Sequence, residues 1–366
     1  MLPVCPNASL HVWKSAVDPL EGGSAMRFLI VKPSSLGDVL HAFPAVHALC
    51  RETGGSADWL IHPAFEPVLK YLPEVQKTIL FDRKGLGSFK TFLPALSKLR
   101  KELKRETYDA VIDLQGLFRS AWFASMARSK VHAGPANPRE SLAKLYYNTK
   151  LEMDLRIHAV ERNNRAIAGF LKKSPDEIDF SCPLSPVPAY QQTAEQLMAE
   201  AGIPAGRRII GIATGTRWVT KQWEPEFFAE IVNNMDGDYT IMLLGTKADS
   251  PDAQKVKSLL KKPQNAFDLC GRSGTGDLVE LIRKCSLLLC NDSGPMHIGA
   301  ALDVPVLSFF GPTSPELTGP YSKKAKVLQP ELECLRCFQK KCADPRCHQG
   351  ISAEFAAETA AAMLAE

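Results

Sequence analysis

The sequence predicts an α/β protein built from two successive doubly wound parallel-sheet halves, and three observations carry that expectation. From Met26 onward, short β-branched apolar runs alternate with longer stretches of helical period, the pattern of βαβ units around a sheet buried on both faces. The alternation stops once, at SCPLSPVPAY over 181–190, where three prolines and no helical period mark a linker, and then restarts. The length, 366 residues, exceeds one ordinary core and fits about two domains of roughly 150 residues. With 45% apolar and 23% charged residues, disorder, collagen-like repeats and a coiled coil are excluded. A net charge of +4 is too small over this length to argue for nucleic acid, and no uncharged apolar run reaches the roughly 18 residues of a transmembrane helix.

Residues 1–25 lack a secretory signal's basic start, apolar core and cleavage site and end in EGGSA; they read as a loose extension, with folded structure beginning near Met26. The first domain, 26–182, opens with the strand FLIV (28–31) and a helical run from Asp38 to about Glu52. ADWLI, TILF and DAVIDL (109–114) follow as strands, then FRSAWFASMA and HAVERNNRAIAGFL (158–171) as helical stretches. The second domain, 190–330, repeats the scheme. Its strands are RIIGIAT (208–214), YTIMLLG (239–245), FDLCG, SLLLCND (286–292) and VPVLSFFG (304–311). Helices are expected around 190–201, from Glu224, in the 250s, around 277–284 and from Gly294. Two such halves are expected to face a cleft with their C-terminal strand ends, so ligand chemistry belongs to the loops just after strands.

Three of those loops stand out. After the first strand, VKPSSLGDVLHAF surrounds the carboxylate of Asp38 with Lys32, Ser34, Ser35 and His41, while Gly37 permits a tight turn. The bland reading of Asp38 is a helix cap; its company suits a base beside an anionic acceptor. After IIGIAT, the loop TGTRWVTKQW offers the hydroxyls of Thr214 and Thr216 and the cation of Lys221, without the Gly-Lys-Ser/Thr ending of a Walker loop. After SLLLC, Asp292, Ser293, Gly294 and Pro295 open a helix whose N-terminus is an anion site. Arg83 and Lys84, in a loop after a strand, and Arg139 are further candidates for anionic acceptor groups. The helix SKLRKELKRE is mostly a solvated basic face, with contact to an anionic membrane as the functional alternative.

KPSSLGDVLHAFPAVHAL, TRWVTKQWEPEFFAEI and NDSGPMHIGAALDVPVLSFFGPTSPELTGPY resemble the lipopolysaccharide heptosyltransferases of glycosyltransferase family 9, as do YDAVIDLQGLFRSAWFA, ANPRESLAKLYYN and HAVERNNRAIA. Over about 26–330 the resemblance is greatest to the first heptosyltransferase of inner-core assembly. It implies a GT-B fold, with the acceptor on the first Rossmann-like half and the nucleotide-sugar on the second. It also implies inverting transfer of heptose from ADP-heptose to Kdo or heptose of a lipid A-core acceptor. Carried over by position, Asp38 is the base and Thr214, Thr216 and Lys221 hold the diphosphate. Asp292, Ser293, Gly294 and His297 belong to the donor site, and Asp249, after the GTKADS loop, contacts the ribose. The implied enzyme is a monomer in the cytoplasm, peripheral to the inner membrane. It needs no cofactor, and no Asp-x-Asp pair is placed to hold a metal on a diphosphate.

The leftover feature is the tail, 331–366. Cys334, Cys337, Cys342 and Cys347 fall within fourteen residues, against six scattered cysteines earlier in the chain. They read as a structural clip that holds zinc or none, since C-x2-C is ligand spacing, while disulfides are disfavoured in a cytosol. SAEFAAETAAAMLAE is a closing helix that could pack across the domains. Competing readings are another family 9 or GT-B nucleotide-sugar enzyme and an inactive metal-binding or membrane-surface scaffold. A dinucleotide oxidoreductase ranks below these because no G-x-G-x-x-G follows the first strand.

Overall fold

Apolar segments buried on both sides must find backbone partners in a sheet with both faces covered, and the computed structural model contains two such sheets. It describes residues 25–366; the extension expected over 1–25 lies, Ala25 apart, outside the described residues. The chain divides into two units, the first ending at Cys182 and the second Pro183–Glu366.

The first unit carries β1 (Arg27–Val31), β2 (Ser56–Ile61), β3 (Val75–Leu80), β4 (Ala110–Asp113), β5 (His132–Pro135) and β6 (Thr149–Leu151). All pair in parallel, in the order β3-β2-β1-β4-β5-β6. The second carries β7 (Ile209–Ala213), β8 (Thr240–Leu243), β9 (Ala266–Asp268), β10 (Leu287–Asn291), β11 (Val306–Phe309) and β12 (Ala325–Leu328). Its order is β12-β11-β10-β7-β8-β9, again all parallel. In each sheet the chain runs outward for three strands, then returns to the other side of the first. The strand order therefore reverses between β1 and β4 and between β7 and β10, where open α/β sheets bind ligands beyond their carboxyl ends.

Helices cover the sheets as the periodicity predicts, with three differences. The expected run 38–52 is two helices, Leu36–Leu40 and Phe43–Thr53, because Pro44 has no N–H to continue the first and starts the second. Helix Pro188–Glu200 begins inside the proline-rich stretch, so its third proline initiates a helix instead of extending the linker. The short strands β5, β6 and β12 escape sequence reading because Gly, Pro, Lys and Thr replace an apolar run. The closing helix Ala353–Ala365 inserts Ala353, Ala356, Ala357, Ala360 and Met363 into its own unit's core, beside Phe228 and Ile231 of helix Pro225–Asn234. No helix of the described residues is long and apolar enough to cross a membrane.

One charge sits inside the first sheet. Asp58, in the middle of β2 and fully buried, accepts Arg27 Nη2 at 2.9 Å and the Tyr108 hydroxyl at 2.9 Å. Burial, then the neighbouring carboxylate, raises the Tyr108 phenol, which stays a donor at every working pH. Tyr108→Phe withdraws that donor from a buried anion, and a destabilisation of about 1–3 kcal/mol is expected. Urea unfolding at unchanged slope is the measurement, and an unshifted midpoint would discount the bond.

Candidate functional site

In the first unit, the loop after β1 carries Asp38 into the first turn of helix Leu36–Leu40. Its Oδ2 accepts the Ser35 N–H at 2.9 Å and the Ser35 hydroxyl at 2.8 Å, while Lys32 Nζ lies 4.0 Å from Oδ1. Burial raises this carboxyl, but Lys32, both Ser35 donors and His41 outweigh it and hold the group down at about 2. Lys32 is buried, donates to the Leu114 carbonyl beyond β4 at 2.8 Å, and is itself lowered by burial against the pull of Asp38. Both strands flanking the reversal point thus fix one cation.

Of the other expected acceptor residues, Ser34 precedes Ser35 through a cis peptide bond, Gly37 is buried, and His41 is buried with its ring 5.3 Å from that of His158. Arg139, in the exposed loop after β5, is close enough to act on Lys32 and Arg162. Arg83 and Lys84 follow β3 at the sheet edge, two strands from β1, and do not join this group. Arg162 does, and sequence reading missed it. It is half-buried in helix Ala159–Phe170, with its pKa lowered by burial first, raised by Asp38 and lowered again by Arg139. In HAVERNN it is one charged residue in a helical stretch, and only its neighbours Asp38 and Arg139 in the fold single it out. The assembly is one carboxylate held in its ionised form among Lys32, Arg139 and Arg162.

In the second unit, the loops after β7 and β10 converge. Lys221 Nζ meets Asp292 Oδ2 at 2.6 Å, and the Thr313 hydroxyl donates to the same oxygen at 2.6 Å. Thr216 Oγ1 donates to the Asp292 carbonyl at 3.4 Å, and Thr214 is buried. Asp249 accepts the Thr246 N–H and hydroxyl, both at 2.7 Å, and sits against Gly215, where a Cβ would fall 2.5 Å from its carboxylate carbon. Gly215 therefore lets the two loops touch. Ser293 caps helix Gly294–Ala301 by backbone geometry alone, and its buried hydroxyl oxygen has no hydrogen-bond partner among the described residues. His297 lies half-buried one turn into that helix.

Asn291 and Thr313 complete this arrangement, and neither is an expected site residue. Fully buried Asn291 donates to the Thr214 carbonyl at 2.6 Å and accepts the Trp223 N–H at 3.2 Å, bracing both ends of the Thr214–Lys221 loop. The four tail cysteines do not assemble. Cys334, Cys337 and Cys342 are exposed, Cys342 donates to the Asp344 carbonyl, and among the described residues no group of three or more His, Cys, Asp or Glu could hold a metal ion. Burial raises the Cys347 thiol, with a further push from the other three, which lie near enough to be felt without converging on one point.

Residues 96–348 match glycosyltransferase family 9 (heptosyltransferase). Lipopolysaccharide heptosyltransferase 1 of Pseudomonas aeruginosa is 32% identical over 333 residues, 87% of each chain. Lipooligosaccharide heptosyltransferase 2 of Campylobacter jejuni is 27% identical over 323 residues, 87% of this chain and 91% of the relative. The structure of an Escherichia coli heptosyltransferase with ADP is similar at a TM-score of 0.73 and 26% identity, covering 91% of this chain and 98% of that one.

A carboxyl in an unfolded chain titrates near 3.9, above the value of about 2 that Asp38 has in the fold. The ionised group therefore favours the fold above about pH 4, and that contribution is lost as the pH falls through about 2. Asp38→Asn is expected to flatten the dependence of Tm on pH within this window and leave it parallel to wild type above about pH 5. An unchanged acid slope would show that Asp38 is not held low.

Proposed function

This chain belongs to glycosyltransferase family 9, the heptosyltransferases, and on that premise we propose that it transfers heptose from ADP-heptose, with inversion, to an anionic sugar of a lipopolysaccharide inner core. The fold is GT-B, two units each built on an all-parallel six-stranded sheet. The observation that carries the reading is the loop after β1: a carboxylate kept ionised beside Lys32, with Arg139 and Arg162 around it. Kdo and phosphorylated heptose carry the negative charge such a ring would bind.

The mechanism follows from the two halves. A carboxylate held near 2 is far too weak a base to deprotonate a sugar hydroxyl outright. The proton must move to Asp38 late, as the acceptor oxygen bonds an anomeric carbon whose bond to ADP is already largely broken. Positioned base catalysis of this kind supplies roughly 100- to 10,000-fold. Attack opposite the leaving diphosphate inverts the centre. On the donor side, Thr214, Thr216, Ser293 and Gly294 would receive the diphosphate at the N-terminus of helix Gly294–Ala301. Lys221 would be drawn from Asp292 toward the phosphates, leaving Asp292 with the Thr313 hydroxyl. Asp249 is assigned to the ribose and His297 to the donor's sugar side. Arg83 and Lys84 are assigned to outlying acceptor groups.

The acceptor is anchored in a membrane, and a peripheral contact at its cytoplasmic face is part of the proposal. Its support is the segment before and within helix Phe92–Leu103. Phe89 is fully exposed and Leu93 72% exposed, beside Lys90, Lys98 and Lys101, which form no ion pair among the described residues. Apolar side chains set among cations suit an anionic bilayer surface.

Asp38→Asn is expected to retain ADP binding and lower turnover of ADP-heptose on a Kdo-bearing lipid A acceptor at least about 100-fold. Turnover near wild type would remove Asp38 as the base, and release of ADP only with another acceptor would redirect the substrate assignment. Lys221→Ala is expected to weaken ADP binding, measured by calorimetry. Phe89→Ser is expected to reduce co-sedimentation with vesicles containing anionic lipid while leaving turnover on a water-soluble acceptor unchanged; equal sedimentation would place membrane contact elsewhere.

A further inference from the structure

The segment from Pro330 to Gly350 is almost without regular structure, with one short turn at Arg346–His348, yet it is tied at point after point to the donor-site loops. Thr220, next to Lys221 and buried, is gripped from both sides. Its hydroxyl donates to the Gln339 carbonyl at 2.7 Å, and its carbonyl accepts His348 Nε2 at 2.7 Å. The Phe338 N–H donates to the Pro312 carbonyl at 2.8 Å, and Arg336 pairs with Glu316. Cys347 sulfur occupies the space a Cβ on Gly311 would need, 2.9 Å away. Arg336 and Phe338 take left-handed backbone, at φ 61° and 53°, which side chains with a Cβ seldom adopt. The path of this segment is thus dictated by what it touches.

Between its anchors at Phe338 and His348 the segment carries Lys340, whose ammonium lies 5.0 Å from the centre of the Trp218 ring. Lys221 lies 4.7 Å from the same ring. Two cations share one indole at the mouth of the Thr214–Lys221 loop. Lys221 has a carboxylate partner in Asp292; Lys340 has no ion-pair partner among the described residues. Like charges drawn to one place, one of them without an anion, suit a ligand that brings more than one negative charge.

We propose that the cysteine-bearing segment forms a wall of the donor site and that Lys340, which shares the Trp218 ring with Lys221, supplies a second cation to the donor's diphosphate. His348 is a positioning residue in this arrangement, since it acts through the Thr220 carbonyl on the turn that carries Lys221. The inference rests on the donor-site reading above and deepens it by naming a contact beyond the family's sheet-borne loops.

The test is calorimetric titration of the full chain and of Lys340→Ala and Lys340→Arg with ADP and, separately, with adenosine. Lys340→Ala is expected to raise the ADP Kd about tenfold, the loss of one charge-assisted contact. Its adenosine Kd should be unchanged, and Lys340→Arg should stay within about twofold of wild type for both ligands. An ADP Kd equal to wild type in Lys340→Ala overturns the proposal, and so does an equal loss of adenosine affinity, which would mean a general distortion. Absence of ADP binding by the wild-type chain overturns the donor-site reading itself, an outcome distinct from a failure of Lys340 alone. His348→Ala is expected to weaken ADP more than adenosine; equal weakening would remove its positioning role.

Discussion

A parallel sheet can be closed only by crossovers, and that constraint organises everything else in this chain. Each strand starts at the same end of its sheet, so every strand finishes at the opposite end, and the loops that leave there are gathered without any further instruction. Hydrogen bonding consumes the backbone inside the sheet. At the ends it does not, and there the side chains of Asp38, Asp113, Asn291 and Asp292 take over. Asp113 closes β4 by accepting the N–H groups of Gln115 and Gly116 and the hydroxyls of Ser120 and Tyr147. Asn291 does the same service for β10 and β7.

The two units solve opposite electrostatic problems with the same kind of loop. In the first, a carboxylate must remain charged although partly withdrawn from water, and a nearly buried lysine plus two donors from one serine achieve it. Arg139 and Arg162 add positive charge around it, which the proposed anionic acceptor would meet. In the second, Lys221 is neutralised by Asp292. A bound diphosphate would compete for a cation already placed, so little side-chain ordering remains to be done at the moment of binding.

Architecture was legible in the sequence because buried parallel strands announce themselves as continuous apolar runs and their alternation with helical stretches marks βαβ units; the strand order was not read from it. The strands that escaped, β5, β6 and β12, lie toward or at sheet edges and carry Gly, Pro or Lys, so nothing in their composition separates them from loops. The candidate residues that the sequence singled out, and that the fold brings to loops after β1, β7 and β10, were those next to glycine and helix-start signals: Asp38, Thr214, Thr216, Lys221, Asp292, Ser293. Arg162 and Asn291 were hidden for a different reason. Each owes its position to packing between elements distant in sequence, and a polar residue inside a helix or at a strand end looks ordinary until its partners are known. The cysteine spacing left a structural clip with or without a metal open, and the fold shows where the segment runs, with three of its thiols exposed.

The closing helix adds a consequence in time. Five of its residues, four of them alanines, sit in the core of the second unit, where only small side chains let a helix lie close against Phe228 and Ile231. The second unit therefore lacks part of its interior until helix Ala353–Ala365 has left the ribosome, whereas the unit bearing Asp38 ends at Cys182 and is made first. At synthesis rates of about 5–20 residues per second, the first unit would stand folded for many seconds before its companion is completed. During that interval the apolar residues of the second unit's core that the closing helix covers would lack that cover.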